Sequence, residues 1–281
     1  MRIARTVAEL RDALSGHRHP AFVPTMGNLH DGHIALIERA KPLGDVTVAS
    51  IFVNRLQFLP HEDFDSYPRT WERDCEQVRA AGCDVLFAPR ETDLYPEPQT
   101  CKVHPNAALA DILEGHFRPG FFVGVSTVVM KLFSCVQPRV VVFGKKDYQQ
   151  LMVIRQMVRQ FALPIEVVGA ETLRAEDGLA LSSRNGALRS EERLEAAHLY
   201  EVLRAMSDQV GETGGRVRDL GAIENRAMQA LSSRGWKADY LVLRRRTDLL
   251  APSPEDTTSP LVAVGAARWG NPRRIDHLEI E

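Results

Sequence analysis

Two imidazoles stand three residues apart in the stretch Met26-Gly27-Asn28-Leu29-His30-Asp31-Gly32-His33. Both can donate to phosphate oxygens, and Gly32 lets a ligand approach the backbone closely. The stretch lies between a short apolar run at 21–24 and a segment with Ile34, Ile37 and Ala40 at helical spacing. A strand feeding a helix in this way puts the cluster at a strand's carboxyl end, where open α/β sheets bind ligands. The helix start there offers free N–H groups and the positive end of its dipole, which suits phosphate. Two plainer readings stay open: a surface turn that happens to carry two histidines, and a metal site, for which no third ligand lies nearby in sequence.

Three further clusters have the same placement. Asn54 and Gln57 leave the end of the apolar run 46–53, and their amides can read a hydroxyl and a carboxylate together; otherwise they are loop residues facing water. In Phe143-Gly144-Lys145-Lys146-Asp147-Tyr148-Gln149-Gln150 an apolar run again ends in glycine, then polar residues, then a helix. A lysine there can offset charge that builds on phosphates during a reaction, and Gln150 falls on the helix's first turn, although GKKD alone also fits a solvated turn. Gly178-Leu179-Ala180-Leu181-Ser182-Ser183-Arg184-Asn185, at the domain boundary, offers two hydroxyls and a guanidinium on a flexible segment that can close over a triphosphate. Four phosphate-compatible sets of this kind would converge in one cleft of a parallel sheet.

The elements that must position them alternate. Thr6 and Glu9 form a capping box ahead of a stripe of Val7, Leu10 and Leu14. Strands are expected at 21–24, 46–53, 83–87, 139–143 and 165–168, and helices from Ile34, at 70–81, at 124–135 and at 148–161. The run 46–53 is apolar on both faces, as in a parallel sheet covered by helices. This β/α alternation predicts a doubly wound parallel sheet. After about Leu173 the character changes. A long helix from Ser190, a break at 211–215, a second helix to about Ser233, and antiparallel strands at 239–243, 261–269 and 275–280 predict a smaller α+β C-terminal domain. A Pro/Ser/Thr loop is expected at 251–260. The domains are placed at 1–173 and 174–281.

Composition narrows the class. The chain has 281 residues, 44% of them hydrophobic, and 35 basic against 37 acidic side chains give a net charge of −2. The length suits two domains and an ample core. The charge balance argues against a sequence-independent nucleic-acid binder. Cys75, Cys83, Cys101 and Cys135 form no C-x-x-C pair, so they are read as free thiols in a reducing cytoplasm. The charged N-terminus is no signal peptide, and no stretch reaches the roughly 18 apolar residues of a membrane span.

The H-x-x-H stretch resembles the signature of the nucleotidylyltransferase superfamily. The wider set PTMGNLHDGH (24–33), SIFVNRLQF (50–58), YPRT (67–70), RPGFFVGVSTVVMKLF (118–133), FGKKDYQQ (143–150), RAEDGLALSSRN (174–185) and, more weakly, RRIDH (273–277) resembles the pantoate–β-alanine ligase family, in order over nearly the whole chain. The resemblance implies a Rossmann-like fold and ATP-dependent joining of (R)-pantoate to β-alanine through a pantoyl adenylate, with Mg²⁺, in a cytoplasmic homodimer. It implies that Met26 to His33, Gly144 to Asp147, Leu173 and Leu181 to Arg184 hold ATP. Within that set Lys146 meets the phosphates, Asp147 the ribose and the Leu173 backbone the adenine. Asn54, Gln57 and Gln150 hold pantoate, Gln57 also lies near β-alanine, and Asp74 is a candidate for Mg²⁺. His30, His33, Lys146 and Arg184 carry the catalysis, with His33 read as an electrostatic stabiliser rather than a proton donor.

Three positions depart from the family's pattern. Arg55 replaces a proline, which loosens the loop aiming Asn54 and Gln57. Phe121 replaces a histidine and loses a polar contact. Lys145 replaces Glu or Gln and adds positive charge beside Lys146. Two other functions are weighed against the ligase: an adenylyltransferase with another acceptor, such as phosphopantetheine, whose chains are shorter and lack the second domain, and a nucleotide-binding paralogue without activity.

Overall fold

The computed structural model describes residues 1–59, 62, 64–212, 217–253, 256, 258–270 and 273–280, the side chains of 187 and 217–219 left aside. The chain divides into two compact units, one of Met1–Lys145 with Gln149–Glu171, the other of Lys146–Tyr148 with Thr172–Glu281.

The first unit runs β1 (Arg2–Ala4), α1 (Val7–Leu14), β2 (Pro20–Thr25), α2 (Asp31–Ala40), β3 (Val46–Ile51), α3 (Trp71–Ala80), β4 (Val85–Phe87), α4 (Glu91–Leu94), α5 (Ala107–Ala110), α6 (Glu114–Phe117), α7 (Phe121–Val136), β5 (Val140–Gly144), α8 (Tyr148–Gln160) and β6 (Glu166–Ala170). The six strands form one sheet in the order β1-β4-β3-β2-β5-β6, and every pairing is parallel. The strand order reverses at the β2–β5 pair, so the carboxyl ends of these two strands flank the crevice where a doubly wound sheet binds ligands.

Alternation along the strands divides the apolar side chains between two cores. On one face Phe22, Val48, Phe87 and Val141 pack with Leu10 and Leu14 of α1, with α7, and with Leu151 and Ile154 of α8. On the other, Ala21, Val23, Ala49 and Val142 pack with Ile37 and Ala40 of α2 and with Cys75 and Val78 of α3. The capping box of α1 is formed, with Glu9 N–H donating to Thr6 Oγ1 at 3.2 Å and Thr6 N–H to Glu9 Oε2 at 3.4 Å. The expected strands and helices of this unit are present within a few residues at their ends. Four elements were not expected: the three-residue β1 and the four-residue α4, α5 and α6. Such lengths are too short to show a period.

The second unit contains α9 (Ser190–Ala196), α10 (His198–Glu212) and α11 (Val217–Ser233), then β7 (Lys237–Arg245), β8 (Leu261–Arg268) and β9 (Arg273–Ile280) as an antiparallel sheet in that order. The long helix expected from Ser190 is two helices, and nothing in the sequence around Ala197 marks the break. The glycine-rich break lies outside the described residues from 213 on, as do 254, 255 and 257 of the 251–260 loop. Leu199, Leu203, Met206, Ile223 and Leu231 pack on Leu241, Leu243 and Ala263 to form this unit's core. Cys75, Cys83, Cys101 and Cys135 are free, and only Cys101 of the four is exposed. Among the described residues no helix is long and apolar enough to cross a membrane.

Glu195, at the end of α9, ties that helix to the start of β7. It accepts from Arg234 Nε and Nη2, both at 2.7 Å, and from Trp236 Nε1 at 2.9 Å. The Arg234 guanidinium, aided by Trp236, outweighs the opposing effect of burial and holds the carboxyl at about 2 against an ordinary 4.5. A depressed folded-state pKa contributes stability that is present above the unfolded value and lost as pH falls toward the folded one. Acid titration followed by circular dichroism is therefore expected to show stability falling between about pH 4.5 and 2. Glu195→Gln is expected to be less stable at neutral pH and to flatten that part of the curve.

Candidate active site

The turn after β2 is held by one carboxylate. Gly27 and Asn28 both have left-handed backbones, at φ 80° and 50°, and successive N–H groups then point the same way, forming an anion-sized concavity. Asp74 of α3 fills it. Its Oδ2 accepts Asn28 N–H and its Oδ1 accepts Leu29 N–H, both at 2.9 Å, and Thr70 Oγ1 donates to Oδ1 at 2.9 Å. Asp74 is 1% exposed. A Cβ at Gly27 would sit 3.0 Å from Ile51 Cγ2 and 3.1 Å from Asp74 Oδ2, so the turn requires glycine for both its φ and its space. Leu29, buried in the core below, has its N–H engaged in this bond, so its place in the turn is structural.

The helix start differs from the expected row of free N–H groups. His30 is the N-cap of α2. Its Nδ1 accepts Gly32 N–H at 3.1 Å, and His33 Nδ1 accepts His30 N–H at 3.3 Å. His33 N–H is bonded in turn to His30 O at 2.8 Å. The two imidazoles thus form a capping box in the manner of Ser and Glu. Since each Nδ1 accepts, each neutral ring carries its proton on Nε2, which makes both rings donors there. The ring centroids are 4.1 Å apart. With the Gly32 and His33 N–H groups engaged within the turn, the donors it can offer a ligand are imidazole N–H groups more than these backbone ones.

At the end of β3, Asn54 caps a single 3₁₀ turn, Arg55–Gln57. Asn54 is 1% exposed and donates to Gln57 Oε1 at 3.1 Å, while Gln57 Nε2 lies 3.2 Å from Met26 Sδ. Gly124 of α7 faces this turn so closely that a Cβ would lie 2.1 Å from Leu56 O. Arg118 fastens the far side. It forms two hydrogen bonds to Glu62, at 2.7 and 2.8 Å, and one to Gln57 O at 3.2 Å.

The three departures from the family pattern each have local partners. The Arg55 guanidinium lies 3.8 Å over the Phe64 ring and 3.4 Å from Glu91. The loop that loses proline's fixed φ is thus held by stacking, the exposed ion pair adding little. Phe121 is a platform for Arg118, whose guanidinium lies 3.8 Å above its ring. Lys145 bonds to Glu171, an exposed carboxylate of the same unit.

Past Gly144, at the end of β5, the adjacent glutamines divide. Gln149 is buried and structural, accepting Glu114 N–H and donating to Leu109 O and Ile112 O. Gln150, one residue on, is half-buried on α8.

In the second unit the short piece Lys146–Tyr148 is fastened by Tyr148. The Tyr148 hydroxyl donates to Glu279 Oε1 at 2.9 Å, Arg246 meets the same oxygen at 2.9 Å, and the ring lies 5.0 Å from that of His277. Asp147 is exposed. Hydrogen bonds cross-tie the segment 173–185. Leu181 N–H donates to Leu173 O at 3.0 Å, and Asn185 Nδ2 to Ala180 O at 3.0 Å. Arg174 bonds to Gly178 O, Asp276 and His277 O beneath this frame, with its guanidinium 3.7 Å over Tyr200. Arg184 N–H donates to Ser182 Oγ at 3.3 Å, and Ser183 is half-buried beside them. The anchoring residues Asp74, Arg118, Tyr148 and Arg174 act through backbone groups and distant partners, which spacing does not reveal.

A Mg²⁺ site does not fit these residues. Both oxygens of Asp74 are engaged by N–H and O–H donors, and among the described residues no group of three or more His, Cys, Asp or Glu could hold a metal ion. Removing the Asp74 carboxylate leaves two buried N–H groups unsatisfied. Asp74→Ala is therefore expected to lower unfolding free energy by about 3 kcal/mol or more, measured by urea titration.

Comparison with known proteins agrees with this architecture. The pantoate–β-alanine ligase family profile matches residues 2–279. Pantothenate synthetase of Verminephrobacter eiseniae is 65% identical over 99% of this chain and all of its own length, and that of Paracidovorax citrulli is 60% identical over the same shares. Among solved structures, pantothenate synthetase of Thermus thermophilus superposes with a TM-score of 0.91 at 47% identity, covering 99% of each chain. The pantoate–β-alanine ligase of Francisella tularensis, complexed with β-γ ATP and β-alanine, superposes with a TM-score of 0.81 at 34% identity, over 99% of this chain and 97% of that one. This chain belongs to the pantoate–β-alanine ligase family.

Proposed function

We propose that this protein condenses (R)-pantoate with β-alanine at the expense of ATP, as the family's reaction does. The observation that carries the reading is the imidazole pair at the switch point, whose Nδ1 atoms are both acceptors and whose Nε2–H groups are therefore both donors. In the first step a pantoate carboxylate oxygen attacks the α-phosphorus. The bond to the bridging oxygen breaks, leaving pantoyl adenylate and pyrophosphate. In the second the β-alanine amine attacks the acyl carbon, the acyl–oxygen bond breaks with AMP leaving, and the amine loses a proton to solvent. The barrier to the first step is repulsion between anions, which fixed donors relieve without reorganising.

His30 and His33 donate to phosphate oxygens as charge builds there, and neither need transfer a proton. Gln57 and Gln150 hold pantoate, with Gln57 also toward β-alanine. Met26 to Gly32, Gly144 and Lys145 shape the ATP side of the first unit. Lys146 and Arg184 supply positive charge for the triphosphate, Asp147 takes the ribose, the Leu173 backbone meets adenine, and Leu181 to Ser183 cover the phosphates. Mg²⁺, where it takes part, would come bound to ATP rather than to a site of this chain's own, and would offset phosphate charge. Residues 1–173 serve as the substrate-binding domain and 174–281 as the cover, in a cytoplasmic homodimer that binds no nucleic acid or membrane.

The test is product formation with each component omitted. Pantothenate and AMP are expected only when ATP, pantoate and β-alanine are all present. Pyrophosphate release with phosphopantetheine instead would favour the alternative acceptor, and tight ATP binding with no pyrophosphate release under any acceptor would favour a paralogue without activity. His33→Ala is expected to lower kcat by about 10²–10³-fold. Unimpaired turnover in that variant would remove its assigned role.

A further inference from the structure

We propose that Asn54 makes no contact with substrate, but turns the Gln57 amide so that its nitrogen faces pantoate, and that Tyr95 locks this arrangement. The inference rests on the reading of Gln57 as a pantoate ligand.

A carboxamide has two N–H donors and two acceptor lone pairs. All four on Asn54 are used. Nδ2 donates to Gln57 Oε1 at 3.1 Å and to Gly124 O at 3.2 Å, while Oδ1 accepts the Tyr95 hydroxyl at 3.1 Å and Leu56 N–H at 3.4 Å. With its side chain saturated and 1% of it exposed, Asn54 has nothing to offer a ligand. Two of its partners have fixed roles: a backbone carbonyl only accepts and a backbone N–H only donates. Gly124 O and Leu56 N–H therefore set which end of Asn54 is nitrogen.

That choice passes to Gln57. With Asn54 Nδ2 facing it, Gln57 must present Oε1 inward and keep Nε2 turned away, where Met26 Sδ lies 3.2 Å off. A thioether is a weak acceptor, readily displaced by a carboxylate or hydroxyl oxygen. Gln57 thus reads its substrate as a pure donor, which suits an acid. Tyr95 completes the set. It is held edge-on to Phe52 at 5.8 Å and under Lys131 Nζ at 5.2 Å. Burial first, and the Glu91 charge second, push its phenol above the ordinary range, so it stays protonated and can donate.

Steady-state kinetics of Gln57→Ala, Tyr95→Phe, Asn54→Asp and the Tyr95→Phe/Gln57→Ala double variant test this. Tyr95→Phe keeps the ring and removes one hydrogen bond. It is expected to raise the pantoate KM by about 3–10-fold, with kcat and the ATP KM nearly unchanged. In Asn54→Asp a carboxylate cannot donate to Oε1, so Gln57 turns its nitrogen inward, and the pantoate KM is expected to rise at least as far as in Gln57→Ala. In the double variant the Tyr95 change is expected to add nothing to Gln57→Ala. A pantoate KM at the unsubstituted level in Tyr95→Phe or Asn54→Asp, while Gln57→Ala raises it, overturns the relay, and so does full additivity in the double variant. An unchanged pantoate KM in Gln57→Ala is a separate failure, for it takes Gln57 itself out of the pantoate site. Thermal midpoints of all four separate a KM effect from unfolding.

Discussion

The turn at the switch point depends on a buried carboxylate whose two oxygens are taken by the protein's own donors. Asp74 draws Asn28 N–H and Leu29 N–H onto its two oxygens, and this fixes two left-handed residues in a row, a conformation costly for Asn28 without such compensation. The chain leaves that turn in the direction that makes His30 a helix cap. The cap occupies one nitrogen of each imidazole, and so decides which nitrogen carries the proton. A single anion on α3 thereby sets both the backbone path of the turn after β2 and the proton positions on its two imidazoles.

Much of this was legible in the chain itself. Period and composition sufficed for the parallel sheet, because β3 is apolar on both faces and its helices have clear stripes. The glycine and polar clusters after β2, β3 and β5 could be placed at strand ends for the same reason. The division of labour inside each cluster was not legible. Gln149 and Gln150 are adjacent and identical, yet Gln149 binds backbone carbonyls of the α5–α6 region, and only the fold says which one. Asp74 appeared as a cation ligand because an acid near a phosphate site invites that reading. Its true partners are N–H groups about 45 residues upstream, and no local pattern records them.

The unusual residues follow the same rule. Arg55 and Phe121 looked like losses when set beside the family pattern. Each is one half of a guanidinium–ring stack, Arg55 on Phe64 and Arg118 on Phe121. Where proline and histidine are expected, this chain thus has residues that take part in stacks.

The contact at Gly124 has a mechanical consequence. Helix α7 meets the Arg55–Gln57 turn backbone against backbone, with no side chain between to compress or change rotamer. Most helix contacts are cushioned by such side chains; this one is not. The other end of α7, at Val136, is buried in the core beneath the sheet, so the helix that meets the turn is itself held by close packing. A side chain at position 124 would thus move the Arg55–Gln57 turn itself, because no neighbouring side chain is there to give way.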